Sequence, residues 1–324
     1  MGDLRETASS PAGSLRVGLT NGLSKGWSGF VWMMKIVLPV SFLTTLFVWT
    51  GWLFYLDALI RPFTSLMGLP PEAALPLLIG MLANIYGAIA AMVVLPLDRG
   101  QMTLIAIFLL MAHNLIQEGI IQGQSGIHPF KATLFRIIAA GVTTAVAALW
   151  LGNPGPVGGA VPLVPPPSPP LTAVLGEWVE TTFWLCVKIF FIIMAIMIVL
   201  EVLKEKGWIV HLVRLFSPLL SVMGLDRKVG FLWMTAIVFG LAYGGAVIVE
   251  EAKAEHLSRD ELEMLHLSIG INHSMVEDPL LFLSLGLNPL WLYLPRLVAA
   301  VVSIHAIRFW MGLRRPGSSP EAGL

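Results

Sequence analysis

Long apolar runs alternate along the chain with short polar clusters, and the run lengths predict helices that cross a bilayer. No formal charge interrupts Ile36–Leu56, Ala73–Leu97, Ile137–Gly176 or Val229–Val249. Several of these exceed the roughly 20 apolar residues that a spanning helix needs. The pattern then recurs. Each half of the chain opens with a long apolar helix (Val31–Leu56, Phe183–Leu203) and an amphipathic stretch ending in Met-Gly-Leu. A second apolar helix follows (Ala73–Leu97, Val229–Glu250), then a polar-studded segment (Gln101–Gln124, Glu261–Leu285), then a G-x-x-P turn that starts a last helix.

The two copies can be aligned residue by residue. SLMGL at 65–69 returns as SVMGL at 221–225, and Tyr86-Gly87 returns as Tyr243-Gly244. From Arg99 onward a constant offset of 160 pairs His113 with His273, Glu118 with Asp278, Arg136 with Arg296, Gly126-Ile127-His128-Pro129 with Gly286-Leu287-Asn288-Pro289, and Trp150 with Trp310. Shared apolar composition does not place a histidine, an acid, a turn and an arginine in one register, so the sequence reads as an internal duplication. The expected organisation is a polar tail over 1–26, a first membrane repeat over 27–151, a Pro/Gly-rich linker over 152–170, a second repeat over 171–311 and a tail over 312–324. Proline lacks the amide donor a helix needs, which makes the linker extended.

Composition narrows the class. Only 12% of the residues are charged and 56% are apolar, about half the charged share of a soluble domain. The expectation is an all-α, polytopic integral protein of the cell inner (plasma) membrane, with the lipid bilayer as its partner and homo-oligomers compatible with it. Twenty basic residues balance twenty acidic ones, which gives no footing for nucleic acid. The single cysteine, Cys186, can form no intramolecular disulfide. No phosphate-binding loop, nucleophile elbow or H-E-x-x-H motif is present, so neither an enzyme nor a cofactor is expected.

Lys and Arg placement bears on topology, because cytoplasmic loops carry the basic excess. If the polar-studded segment enters the membrane and turns back, each half has three crossings, the halves are inverted and the linker lies outside. Thirteen basic residues then fall inside and three outside. If the segment crosses fully, giving four spans per half, the count is about nine to seven. The charges favour the re-entrant, inverted arrangement, a recurrent plan among secondary transporters.

Ionisable residues at membrane depth cost about 2.5–3.5 kcal/mol each even on lenient scales, so they face partners or cavities. The candidates are His113, Asn114, Gln117 and Glu118 in one copy, and Asn272, His273, Ser274, Glu277 and Asp278 in the other. Helical spacing places His273 beside Glu277 and His113 beside Gln117. Equal distances from the turn predict ion pairs Glu118–Arg136 and Asp278–Arg296, which as structural bridges would pin the last helix of each half. Asn84, Tyr86 and Tyr243, in small-residue runs of the second helices, complete the candidate substrate site. One histidine and one carboxylate from each half would make a four-ligand N/O set, but no H-x-x-x-H spacing accompanies it and no metal is expected.

The runs Gly-Leu-Ala-Tyr-Gly-Gly-Ala-Val-Ile (240–248) and Asn-His-Ser-Met-Val-Glu-Asp-Pro (272–279), together with the duplication, resemble the nucleoside-recognition or Gate domain family. That family includes the membrane portion of ferrous-iron transporter B, spore maturation proteins A and B, and relatives of concentrative nucleoside transporters. The resemblance covers 31–150 and 183–310 and implies a helical inner-membrane protein with re-entrant hairpins and a transport role. The chain lacks the GTPase domain and the pore cysteines of the iron transporters. The expected function is a secondary transporter or permease for a small polar solute, nucleoside-like or ionic, held between the repeats. The alternatives are a metal-ion or proton permease and a non-transporting membrane scaffold.

Overall fold

In the computed structural model the described residues are 15–51, 62–151, 169–208, isolated positions from 211 to 240, and 257–314. Among them the chain is almost wholly helical and forms no strand. Four stretches are long and apolar enough to cross a membrane: Arg99–Gln124, Pro129–Leu151, Leu171–Leu203 and Pro289–Trp310.

The two longest helices, α1 (Leu15–Trp49) and α7 (Leu171–Glu205), have 35 residues each. They pack antiparallel along their length. Gly18, Gly22 and Gly26 face Val202, Ile198 and Met194, and a Cβ on Gly22 would stand 2.5 Å from Ile198 Cα. Small residues at four-residue spacing let two backbones approach this closely in a membrane. Farther along, Trp178 donates its indole N–H to Ser41 Oγ at 3.1 Å, and Trp49 donates to the Pro169 carbonyl at 3.0 Å. At the opposite end Lys25 Nζ meets Glu201 Oε1 at 2.8 Å. From Leu15 onward the expected tail over 1–26 is part of helix α1. Its glycines read as tail composition, but they form the packing stripe of a helix.

Two short helices follow, α2 (Ala74–Leu82) and α3 (Ile85–Val94). A Cβ on Gly87 would lie 2.7 Å from Ile79 Cγ2, and one on Gly80 would lie 3.1 Å from Ala88 Cβ. The pair is thus an antiparallel hairpin turned at Ala83-Asn84. At nine and ten residues, each arm reaches only about 15 Å, half of a bilayer core. Asn84 caps α3, its Oδ1 accepting from the Gly87 amide at 2.8 Å.

Both polar-studded segments are broken helices. The first comprises α4 (Arg99–Ala112) and α5 (Leu115–Gln124); the second comprises α8 (Arg259–Asn272) and α9 (Glu277–Leu283). Helices α4 and α8 each open on a capping box, Asp98 with Gln101 and Ser258 with Glu261, and each stops at a histidine. The next residues, Asn114 and Ser274, both sit at φ 51°, a left-handed conformation that ends a helix. Gly126 (φ 89°) and Gly286 (φ 76°) then turn the chain into α6 (Pro129–Leu151) and α10 (Pro289–Arg314).

The two G-x-x-P turns lie at opposite ends of the bundle. Gly126 is beside Leu262 near the start of α8, and Lys131 Nζ is 6.0 Å from the Trp310 ring near the end of α10. Gly286 instead lies beside Arg99, at the start of α4. Trp310 stands about 32 Å along α10 from Pro289. Helices α4 and α5 thus carry the chain from one end of the bundle to the other. This corrects the expectation that Gln101–Gln124 enters and returns. The element that turns back is the α2–α3 hairpin, because Asn84 reverses the chain while the left-handed Asn114 only breaks a helix.

Candidate functional site

The breaks in α4–α5 and α8–α9 meet in the middle of the bundle. The α2–α3 hairpin reaches the first break, where the Asn114 amide donates to the Gly80 carbonyl at 2.9 Å. At the second, the Ser274 amide donates to the Ala236 carbonyl at 3.1 Å.

A broken helix leaves carbonyls without intrahelical partners. Here an arginine from the following long helix takes them up. Arg136 Nε donates to Met111 O at 2.9 Å and Nη2 to His113 O at 3.0 Å. Arg296 repeats this, with Nε to Ile271 O at 3.1 Å and Nη2 to His273 O at 2.6 Å. Both guanidinium groups are buried. Their positive charge sits where the helix dipole favours a cation.

The histidines converge. His113 Nδ1 lies 2.8 Å from Leu109 O, and His273 Nδ1 lies 3.0 Å from Ile269 O. A carbonyl only accepts, so each Nδ1 carries the proton and donates, leaving Nε2 of the neutral ring as a bare lone pair. These two nitrogens face each other at 3.3 Å. Glu118 Oε1 is 3.0 Å from His273 Nε2 and 3.7 Å from His113 Nε2, and Asp278 Oδ2 is 3.4 Å from His113 Nε2. Three of these atoms, from two broken helices, lie close to one another, and Asp278 stands beside His113.

The two carboxylates differ. Arg136 Nη1 meets Glu118 Oε2 at 2.5 Å, as equal spacing from the turn predicts. The matching Asp278–Arg296 contact is not made: Arg296 Nη1 and Asp278 Oδ2 have no hydrogen-bond partner. Aspartate is one methylene shorter than the glutamate at the matched position, and Asp278 turns to His113.

Other candidates fall away from the cluster. His273 and Glu277 do not share a helical face, because the chain breaks at Ser274; Glu277 accepts from the Tyr86 hydroxyl across the interface between the halves. Gln117 is exposed and accepts from Asn114 Nδ2 at 3.0 Å instead of standing beside His113. Asn84 serves as a helix cap. Asn272 is buried with neither amide atom partnered, and Ser274 is buried at the second break. Tyr243 lies outside the described residues. The sequence reading overlooked Gln122 and His266, both fully buried with unpartnered polar atoms. Gln122 lies with Arg136 around Gly270, and its signal was a glutamine on the buried face of α5, one turn beyond Glu118.

No family model and no solved structure matches the chain. It is 29% identical over 293 residues to the uncharacterized membrane protein YvoD of Bacillus subtilis (strain 168), a match covering 90% of this chain and 92% of that protein. The chain is a helical membrane protein.

Proposed function

We propose that the protein is a gradient-driven permease of the inner membrane that carries a small cation through a site between two inverted repeats. The observation carrying this reading is the convergence of His113 Nε2, His273 Nε2 and Glu118 Oε1, with Asp278 Oδ2 beside His113. Facing lone pairs and carboxylate oxygens repel one another unless a positive species lies between them. The nucleoside-like cargo implied by the Gate resemblance fits less well, because rings with 4.8 Å between centroids leave no organic solute room in this conformation.

Inversion in this reading rests on three crossings per half, namely the first long helix, the broken helix and the last helix, with the α2–α3 hairpin between the first two in the first half. Antiparallel α1 and α7 support it, as do the G-x-x-P turns at opposite ends. Reassigning the broken helix as a crossing sharpens the charge bias. With Lys35, Arg136, Lys188 and Arg296 set aside at bilayer depth, fourteen basic residues fall inside and only Arg61 and Arg99 outside. Broken helices meeting at mid-membrane are how transporters of this plan expose polar groups to cargo. A scaffold would instead favour a fully paired core, whereas Gln122, Asn272 and His266 are buried without partners.

The test is cation flux into proteoliposomes holding the full chain, read with pH- and metal-sensitive dyes under an imposed gradient. Flux above that of empty vesicles, lost in His113→Gln and His273→Gln proteins that still elute as the wild type, is the expected result. Absence of flux for protons and for divalent metals alike overturns the reading.

A further inference from the structure

We infer that His113, His273 and Glu118 form a binding site for a divalent first-row transition-metal ion, with Asp278 beside His113. This deepens the permease reading and rests on it for the ion being cargo; the binding itself stands on geometry.

The three ligand atoms form a triangle with edges of 3.3, 3.0 and 3.7 Å. A tetrahedral ion with bonds of about 2.0–2.1 Å holds its ligands about 3.3–3.4 Å apart. The point equidistant from the three atoms lies about 2 Å from each, within the Zn–N and Zn–O range. A shared proton would not arrange them so. It joins two atoms in a line at about 2.7–3.0 Å and gives no reason for a third to converge.

The surroundings are those of a metal site. Each histidine donates Nδ1–H to a backbone carbonyl, which holds the ring and aims Nε2 inward, the usual outer support of a metal-bound imidazole. Arg136 occupies Glu118 Oε2 and leaves Oε1 to the site. Asp278 Oδ2, buried without a hydrogen-bond donor, stands 3.4 Å from His113 Nε2, close enough to the site to accept from a metal-bound water. Two imidazoles with carboxylate select Zn²⁺, Co²⁺, Ni²⁺, Mn²⁺ or Fe²⁺ over Mg²⁺ and Ca²⁺, which prefer all-oxygen shells. Charge sets how firmly the ion is held. Fully ionised, Glu118, Asp278 and Glu277 would set three negative charges against the two of Arg136 and Arg296. A divalent ion therefore leaves the site net positive, which suits an ion that is released rather than a resident one.

The test is titration of purified full-length protein in detergent with Co²⁺, alone and in competition with Zn²⁺. Expected are one ion per chain, intense visible absorption bands of a tetrahedral N/O site, displacement by Zn²⁺ and none by a hundred-fold excess of Ca²⁺. His113→Gln and His273→Gln should each weaken binding by more than the roughly 10–100-fold that loss of an outer-shell partner costs. His128→Gln, an exposed histidine elsewhere, should leave it unchanged. Wild-type protein that binds no Co²⁺, or binds it equally in the His128 and His273 variants, overturns the inference without depending on how any one variant folds. Metal binding without flux would retain the site and reject the permease; proton flux without metal binding would do the reverse.

Discussion

The two helix breaks share a backbone and differ in their acids. Around both, a histidine ends a capped 14-residue helix, the next residue is left-handed, and an arginine holds the freed carbonyls. Yet Glu118 closes on its arginine while Asp278 leaves Arg296 and turns to the opposing histidine. One methylene separates a clamped carboxylate from an available one. The backbone plan of the breaks is thus common to both halves, while side-chain length makes their chemistry unequal.

The proposed inversion of the two halves is the easiest to break. His128 and Asn288 occupy matched, exposed positions at the two turns. Single cysteines there, in a Cys186→Ser background, should label all-or-none from opposite sides with an impermeant thiol reagent in intact cells. Labelling from the same side would dismiss inverted halves.

The arginines come next. Arg136→Gln strands the buried Glu118 carboxylate and should cost about 3–5 kcal/mol. Arg296→Gln strands no paired acid and loses only its bonds to carbonyls, about 1–3 kcal/mol. Thermal stability by fluorescence-detected size exclusion should rank them so, and equal losses would mean that the two breaks do not differ as described. Asp278→Glu sharpens the contrast further. The longer side chain should reach Arg296, raising stability by about 1 kcal/mol and drawing the carboxylate away from His113.

The smallest expected effects lie one turn away. Glu277 is held by Tyr86, whereas its counterpart Gln117 is exposed and bonded only within its own segment. Tyr86→Phe should cost about 1.5–3 kcal/mol, since the acceptor is a carboxylate, and Gln117→Ala less than about 0.5 kcal/mol. A cost for Gln117→Ala as large as that for Tyr86→Phe would show that the two positions are equivalent after all.

The sequence by itself determined the membrane class, because apolar runs longer than a bilayer core admit few other folds. It also determined the register that brings Glu118 level with Arg136, because helical rise converts residue counts into depth. It determined less about direction. Charge counting treated Gln101–Gln124 as the returning element, and only tertiary contacts, Gly126 on Leu262 and Gly286 on Arg99, show that this segment runs from one end of the bundle to the other while the chain reverses at Asn84. Residues 15–26 show the same limit: a glycine stripe looks like a tail until the helix it packs against is in place. The meeting of His113 with His273 was legible only as a matched pair. Two residues 160 apart come within 3.3 Å because two antiparallel broken helices stop at the same depth, and that distance is set by packing between the halves, on which local pattern is silent.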